Sequence, residues 1–115
     1  MKGYAGKLLD IDLTKESHRD IQLDTDVLRR FIGGKGLGAH LLMKELGQGV
    51  DPLSPDNIIA FLTGPLTGTR APTSNRYGAF FKSPLTGIWG ESYAGGYLGP
   101  QIKRAGYDGI IVRGR

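Results

Sequence analysis

The residues best equipped for chemistry lie in the second half of the chain, and their types suit binding rather than bond breaking. Arg76 follows the loop Thr69-Arg70-Ala71-Pro72-Thr73-Ser74-Asn75 and opens a predicted strand. From there a guanidinium projects a planar fork of donors toward a phosphate or a polar heterocycle. A charge-assisted contact of this kind contributes on the order of 1.5 to 3 kcal/mol where water is partly excluded. Further on, Tyr93-Ala94-Gly95-Gly96-Tyr97-Leu98-Gly99-Pro100 follows one predicted strand and opens a predicted helix. Bare backbone N–H groups and a helix N-terminus then converge, which makes a phosphate cradle. From local features alone, a structural turn with Tyr93 and Tyr97 in the core fits equally well.

The earlier run Gly33-Gly34-Lys35-Gly36-Leu37-Gly38 lacks the G-x-G-x-x-G spacing and follows a helix rather than a strand. It reads as a tight helix-to-helix turn whose missing side chains permit close packing. Glu91 has no second carboxylate or histidine nearby in sequence, so it serves better as a hydrogen-bonding partner for the basic loops than as a general acid or base. Trp89, the only tryptophan, reads as a core or subunit-contact residue more readily than as a platform for a ring. His18 and His40 have no partner at metal-ligand spacing, and the chain has no cysteine. Thiolate nucleophiles, disulfides and thiolate-held zinc or iron–sulfur centres are therefore excluded within these residues.

The formal net charge is +4, but it is unevenly spread. Residues 1 to 57 hold eight Lys/Arg against nine Asp/Glu, and 58 to 115 hold seven against two, so the halves carry −1 and +5. In the second half only Glu91 and Asp108 are acidic, which points to an anionic ligand, although charge taken by itself fits a basic solvated face better. The pI of about 9.5 raises nucleic acid as a partner. The interleaved aromatic and basic pattern of a single-strand platform is missing, as is a helix-turn-helix, so no nucleic acid is expected. No apolar run approaches the roughly 18 residues of a membrane span. The start, Met1 to Asp12, lacks the apolar stretch of a signal peptide because Asp10 and Asp12 interrupt it. The expectation is a cytoplasmic protein that does not engage a membrane.

The elements that must position these residues follow from periodicity. Leu9, Ile11 and Leu13 alternate as a strand, Thr14 to Ser17 makes a turn, and His18 to Leu23 returns as a second strand. Asp24-Thr25-Asp26 offers N-caps for a helix through Val27, Leu28, Phe31 and Ile32. Leu37, Leu41, Leu42 and Leu46 share one face of a second helix, with Gly47 suited to its C-terminal cap. Ile58 to Thr63 is a continuous apolar run, as in a strand buried on both faces. Strands near Tyr77–Lys82 and Ile88–Tyr93, a short helix over Tyr97–Ala105 ending at Gly106, and a last strand at Gly109–Arg113 complete the series. The two Pro-Leu-Thr-Gly copies at 65–68 and 84–87 read as similar turns in which proline sets φ and glycine takes a conformation other residues resist. At 12.4 kDa the chain makes one small domain at most. Its stop directly after a predicted strand reads as an interruption.

Five segments in order carry a resemblance to a known family: Gly64-Pro65-Leu66-Thr67-Gly68-Thr69 with Ala71-Pro72, Arg76-Tyr77, Lys82-Ser83-Pro84-Leu85-Thr86-Gly87, Gly95-Gly96-Tyr97-Leu98-Gly99, and Ala105-Gly106-Tyr107-Asp108-Gly109. With Gly33 to Gly38 and Asp51-Pro52-Leu53-Ser54-Pro55, the chain resembles the N-terminal region of the tungsten-dependent aldehyde:ferredoxin oxidoreductases over nearly its whole length. The resemblance implies an α+β fold: a β-rich N-terminal base domain of that type, with two or three short helices. It implies that residues 1–115 are a partial N-terminal cofactor-binding domain of a longer oxidoreductase.

The cofactor so implied is a tungstopterin, a bis-molybdopterin carrying tungsten or molybdenum, with a bridging magnesium. The resemblance assigns Arg76 and the loop Tyr93, Ala94, Gly95 and Gly96 to cofactor binding. Family members carry asparagine at the position of Tyr93, so the contact there, including that to magnesium, is expected from the backbone. The 4Fe-4S cluster of such enzymes, and an acidic residue and a histidine near the metal, match nothing in this chain, so no catalytic residue is assigned. The complete protein is expected to oxidise an aldehyde substrate to a carboxylic acid and pass electrons through the cluster to ferredoxin, the 115-residue piece alone being inactive; a homo-oligomer is compatible with this. The alternative is a stand-alone, non-enzymatic cofactor-binding or assembly module.

Overall fold

The computed structural model describes all residues from Met1 to Arg115. Strands β1 (Lys7–Asp12) and β2 (Ser17–Gln22) form an antiparallel hairpin in which Leu8 pairs with Ile21. Helix α1 (Thr25–Phe31) starts where the sequence places a cap: the Asp24 carboxylate accepts the Asp26 N–H at 2.9 Å, satisfying one of the first-turn donors. Helix α2 (Gly34–Glu45) begins inside the glycine run. A Cβ on Gly36 would lie 2.3 Å from the Phe31 carbonyl oxygen, and one on Gly38 would lie 2.8 Å from the Phe80 ring. The glycines thus serve close packing, as the sequence suggested, although Gly34, Gly36 and Gly38 belong to the helix itself. Gly47 is not the cap of α2, which ends at Leu46 in extended conformation.

The remaining elements are β3 (Ile58–Leu62), β4 (Tyr77–Lys82), β5 (Trp89–Ala94), α3 (Leu98–Arg104) and β6 (Gly109–Arg113). Six strands form one sheet in the order β2-β1-β6-β3-β4-β5. Only β1 and β6 run parallel; every other neighbouring pair is antiparallel. With three helices this is the α+β fold expected, and the last strand enters the middle of the sheet. No helix is long and apolar enough to cross a membrane.

One row of side chains crosses all six strands by register: Arg19, Asp10, Ile111, Ala60, Phe80 and Glu91. Its apolar centre is fully buried, with Ile111, Ala60 and Phe80 at 0% exposure, beneath Leu37, Leu41 and Leu42 of α2. Toward the β2 edge the row turns ionic. Asp10 accepts Arg113 Nε at 2.8 Å and Arg19 Nε at 3.0 Å, and Arg113 reaches Glu45 at the end of α2 at 3.3 Å. Burial alone would pull the Arg113 guanidinium down, but hydrogen bonds and charge from Asp10 and Glu45 outweigh it and hold the group above its ordinary value.

The reading of β3 as buried on both faces is corrected. Ile58, Ala60 and Leu62 are buried, while Ile59 and Phe61 are half-buried together with Leu9, Ile11, Phe81 and Ile110 on the same side. Helix α2 covers the centre of the opposite face and α1 packs on α2, so the apolar run serves a sheet covered on one side over β3 and β4.

Candidate functional site

Register brings the two predicted segments together. Tyr77 pairs with Ala94 across β4 and β5, so Arg76 and Gly95 each stand one residue beyond the last rung. Asn75 then ties them, its side-chain amide donating to the Gly96 carbonyl at 3.3 Å. The loop before Arg76 is closed from within. Thr67, only 7% exposed, donates its hydroxyl to the Arg76 carbonyl at 3.3 Å and accepts the Gly64 N–H at 3.1 Å, and the Gly68 N–H reaches the Ser74 carbonyl at 3.2 Å. Gly68 and Gly87, the last residues of the two similar turns, both have the left-handed φ expected of them, 78° and 72°. Helix α3 lies hard against this loop: a Cβ on Gly99 would sit 2.8 Å from the Asn75 carbonyl oxygen and 3.1 Å from Thr67 Cγ2.

A polar cleft of about 500 Å³ opens between the loop and α3, lined among others by Thr69, Thr73, Ser74, Asn75, Arg76 and Arg104. It contains no carboxylate. Arg76 and Arg104 are exposed, and neither guanidinium makes an ion pair or a hydrogen bond within the protein. Thr73, a β-branched residue, holds φ at 57°, a strained conformation in the wall of the cleft.

Tyr93 and Tyr97 are not core residues, being 47% and 84% exposed, so the reading of their segment as a turn folded inward is corrected. The Tyr93 ring stands edge-on to Phe80 at 5.9 Å, and its hydroxyl donates to Glu91 Oε2 at 3.3 Å. Trp89 Nε1 donates to the same oxygen at 2.9 Å, and Lys35 of the glycine run pairs with Glu91 Oε1 at 2.9 Å. The hydrogen bond from Lys35 comes first, with Trp89 next, in holding the Glu91 carboxyl below its ordinary range; Glu91 in turn holds Lys35 up. Glu91 is thus a hydrogen-bonding and ion-pair partner rather than a lone acid, but of Lys35 on α2 and not of a basic loop. Trp89 packs on Phe80 at 5.5 Å at the margin of the core.

With the Tyr93 side chain anchored on the helix side, its peptide groups are what the segment presents outward. The Ser83 N–H donates to the Ile88 carbonyl at 2.8 Å, and the Lys82 carbonyl accepts Asn57 Nδ2 on the β3 side at 3.0 Å. Antiparallel alternation from that point directs the N–H and C=O groups of Trp89, Glu91 and Tyr93 away from β4, off the free edge of the sheet. Ala94, Gly95 and Gly96 are exposed, and a Cβ on Gly96 would meet nothing within 4 Å. Bare main chain and the residue that bears an uncommitted guanidinium therefore stand at neighbouring strand ends. No three His, Cys, Asp or Glu side chains converge to hold a metal, so a cation at this edge would depend on main-chain oxygens and on its ligand. His18 lies exposed on β2, and His40 stacks on Phe31 at 4.6 Å.

These features define an α+β domain of the mixed-sheet class with an open, cation-lined edge. The family model for "Aldehyde ferredoxin oxidoreductase, N-terminal domain" matches residues 8–115. The chain belongs to the aldehyde ferredoxin oxidoreductase family and corresponds to its N-terminal domain. Over its whole length it is 44% identical to the tungsten-containing aldehyde ferredoxin oxidoreductase of Pyrococcus abyssi, of which it spans 19%. It is 47% identical to the aliphatic sulfonate oxidoreductase, WOR-like subunit, of Pyrococcus furiosus, again spanning 19% of that protein. In structure it is similar to a chain of the active-site complex BamBC of benzoyl coenzyme A reductase with 1,5-dienoyl-CoA. The TM-score is 0.96 and the identity 37%, over 99% of this chain and 18% of that one. The chain thus spans about a fifth of the length of the relatives it matches.

Proposed function

We propose that this domain is the base on which a tungsten (or molybdenum) pterin cofactor rests in a longer aldehyde-oxidising, ferredoxin-coupled enzyme. The observation that carries the reading is the register that ends β4 and β5 with Arg76, its guanidinium free, beside the exposed segment Tyr93 to Gly96, the two strand ends being tied by Asn75. The donor set suits the group. Arg76 offers a fork of N–H donors to an anionic or heterocyclic part of it, and the edge-facing Tyr93 carbonyl is a hard oxygen ligand of the kind a magnesium ion takes. Bound there, the metal centre would supply two-electron oxo-transfer chemistry. What this chain contributes is position: Arg76 and the glycine backbone hold the group, and the Glu91 network keeps the Tyr93 side chain out of its way.

The complete protein would also carry the iron–sulfur cluster and the residues next to the metal, convert an aldehyde to a carboxylate, and deliver electrons to ferredoxin in the cytoplasm. Relatives named for aldehydes and for aliphatic sulfonates match this domain equally well, so the choice of substrate belongs to residues outside it. Arg76→Ala in the full-length protein is expected to lower tungsten and pterin content together. Unchanged metal and pterin occupancy would refute the assignment of Arg76. Sequencing beyond Arg115 tests the wider reading, which expects the gene to continue into a Cys-x2-Cys-x3-Cys segment.

A further inference from the structure

We infer that the cleft between the loop Gly68–Arg76 and α3 is a phosphate site in which Arg104 is the second cationic ligand beside Arg76. The charge distribution leads to it. The second half of the chain has only two carboxylates, and both are spoken for: Glu91 pairs with Lys35, and Asp108 with Lys103. Arg113 in turn belongs to Asp10 and Glu45. Of the guanidiniums left without a countercharge on these two elements, Arg76 and Arg104 line the cleft, one from the loop and one from α3, whereas Arg70 of the loop does not.

The adjacent basic residues of α3 have divided roles. Lys103 turns inward to Asp108 and to the Gly3 carbonyl, at 2.8 and 2.7 Å, while Arg104 is left in the wall of the cleft. Its place in the last turn of α3 complements the helix dipole, but that alone explains neither the facing arginine nor the absence of any acidic neighbour. The loop itself carries unpaired donors. The N–H groups of Thr73, Ser74 and Asn75 find no acceptor in the protein, and the left-handed φ of Thr73 turns successive peptides within that stretch. Runs of free backbone N–H in such turns form anion-binding concavities. The hydroxyls of Thr69, Thr73 and Ser74 already donate to the carbonyls of Leu66, Pro72 and Ala71, which leaves the cleft cationic rather than merely polar.

The chemistry so defined is a tetrahedral phosphate dianion, carried by a monoester or as the free ion. In part the inference rests on the proposed function, since the cofactor's own phosphate is one source and free inorganic phosphate is the other. The test uses the full-length protein with Arg104→Gln, Arg104→Lys and Arg76→Ala, and with Arg29→Gln on exposed α1 as a surface control. Tungsten and pterin per chain are measured on the loaded protein, and affinity for inorganic phosphate by ³¹P NMR on the protein stripped of cofactor. Arg104→Gln is expected to weaken phosphate binding about tenfold or more, as expected for loss of one charge-assisted contact. Arg104→Lys should restore part of it, and Arg29→Gln should change nothing. A parallel fall in pterin content identifies the phosphate as the cofactor's. Weakened phosphate binding with full cofactor content upholds the site and assigns it to free phosphate. If Arg104→Gln binds phosphate as the parent does, the inference is overturned, and if Arg76→Ala still loses cofactor then the proposed function stands without it. If neither variant alters cofactor content although both weaken phosphate binding, the proposed function fails and the phosphate site survives.

Discussion

Replacing Asp108 should unfasten the site from the rest of the domain. Its carboxylate, 2% exposed as a residue, accepts the Ala5 N–H at 2.9 Å, the Gly6 N–H at 2.7 Å and Lys103 Nζ at 2.8 Å. Its own carbonyl accepts both the N–H and the hydroxyl of Thr63, at 3.0 and 2.7 Å. One residue thus joins the N-terminal arm, the end of β3, α3 and the start of β6. Asp108→Ala strips the countercharge from an ammonium whose side chain is only 12% exposed and leaves two amide donors unmet. Breaking a buried pair in this way costs about 3–5 kcal/mol. Lys103 keeps the Gly3 carbonyl at 2.7 Å, which favours the lower end, about 3 kcal/mol. Against a total stability of about 5–15 kcal/mol that is a large fraction.

In urea, with an m-value of about 1–3 kcal/mol/M, the unfolding midpoint should fall by roughly 1–3 M at unchanged m. The double variant Asp108→Asn with Lys103→Met should cost less than the sum of the two single changes, because it leaves no lone ammonium; a coupling of about 1–3 kcal/mol is expected. A loss below about 1 kcal/mol in Asp108→Ala, or strict additivity in the cycle, would refute the argument that the buried pair holds these elements together.

Four other outcomes follow from the geometry. Asn75→Ala should cost no more than about 1 kcal/mol, the worth of one exposed hydrogen bond, yet lower pterin content in the full-length protein by freeing Gly96 from Arg76. Tyr93→Asn should leave cofactor content near that of the parent, since the contact proposed there is main-chain; a loss as large as that of Arg76→Ala would show that the tyrosine side chain matters. Gly36→Ala should destabilise the domain despite its better helix propensity, because its Cβ would meet a backbone carbonyl at 2.3 Å, and a raised urea midpoint would contradict this. In acid, Glu91 and Asp20 both have carboxyls held down, by Lys35 and Lys7 respectively as leading partners. Carboxyls depressed in the folded state contribute stability above their unfolded pKa of about 4 that is lost as pH falls through the folded values. Glu91→Gln should therefore flatten the acid limb of a pH–stability curve; an unchanged limb would argue against the Lys35 pairing.

Much of this architecture could be read from local pattern. The alternation at Leu9 and Ile11, the Asp24 cap and the stop at Gly106, whose φ of 91° lets the Tyr107 N–H reach back to the Ile102 carbonyl, are each decided by neighbours in sequence. Arg76 and the Gly95-Gly96 turn were visible because an arginine and paired glycines stand beside strands. What escaped depended on register. Whether Ile59 and Phe61 are covered depends on which side α2 lies, and nothing in an unbroken apolar run records that. The inward reading of Tyr93 failed because its anchor is Glu91, two residues away on an edge strand, together with Lys35 from a helix far off in sequence. In sequence Asn75 is one loop residue among seven, and its place directly before Arg76 is the one local sign of the tie it makes to Gly96. In sequence Arg104 is one of several basic residues of the second half, and only the packing of α3 against the loop brings it to the same cleft as Arg76.

The parallel pairing of β1 with β6 also constrains how the domain comes into being. Leu8 sits beside Gly109 and Asp12 beside Arg113, so the first strand waits for nearly the last residues before it gains its inner neighbour. Until then a nascent chain can form the β1–β2 hairpin and the β3–β4–β5 meander only as separate pieces, each with a flank of unpaired peptide groups. At about 5–20 residues per second on the ribosome, that interval lasts several seconds. Closure over so long a loop is slow as well, because its entropy is lost before any rung of the ladder repays it. The central slot is therefore the point most open to invasion by a foreign strand, and a chaperone that shields it during synthesis would act on the step that decides between folding and aggregation.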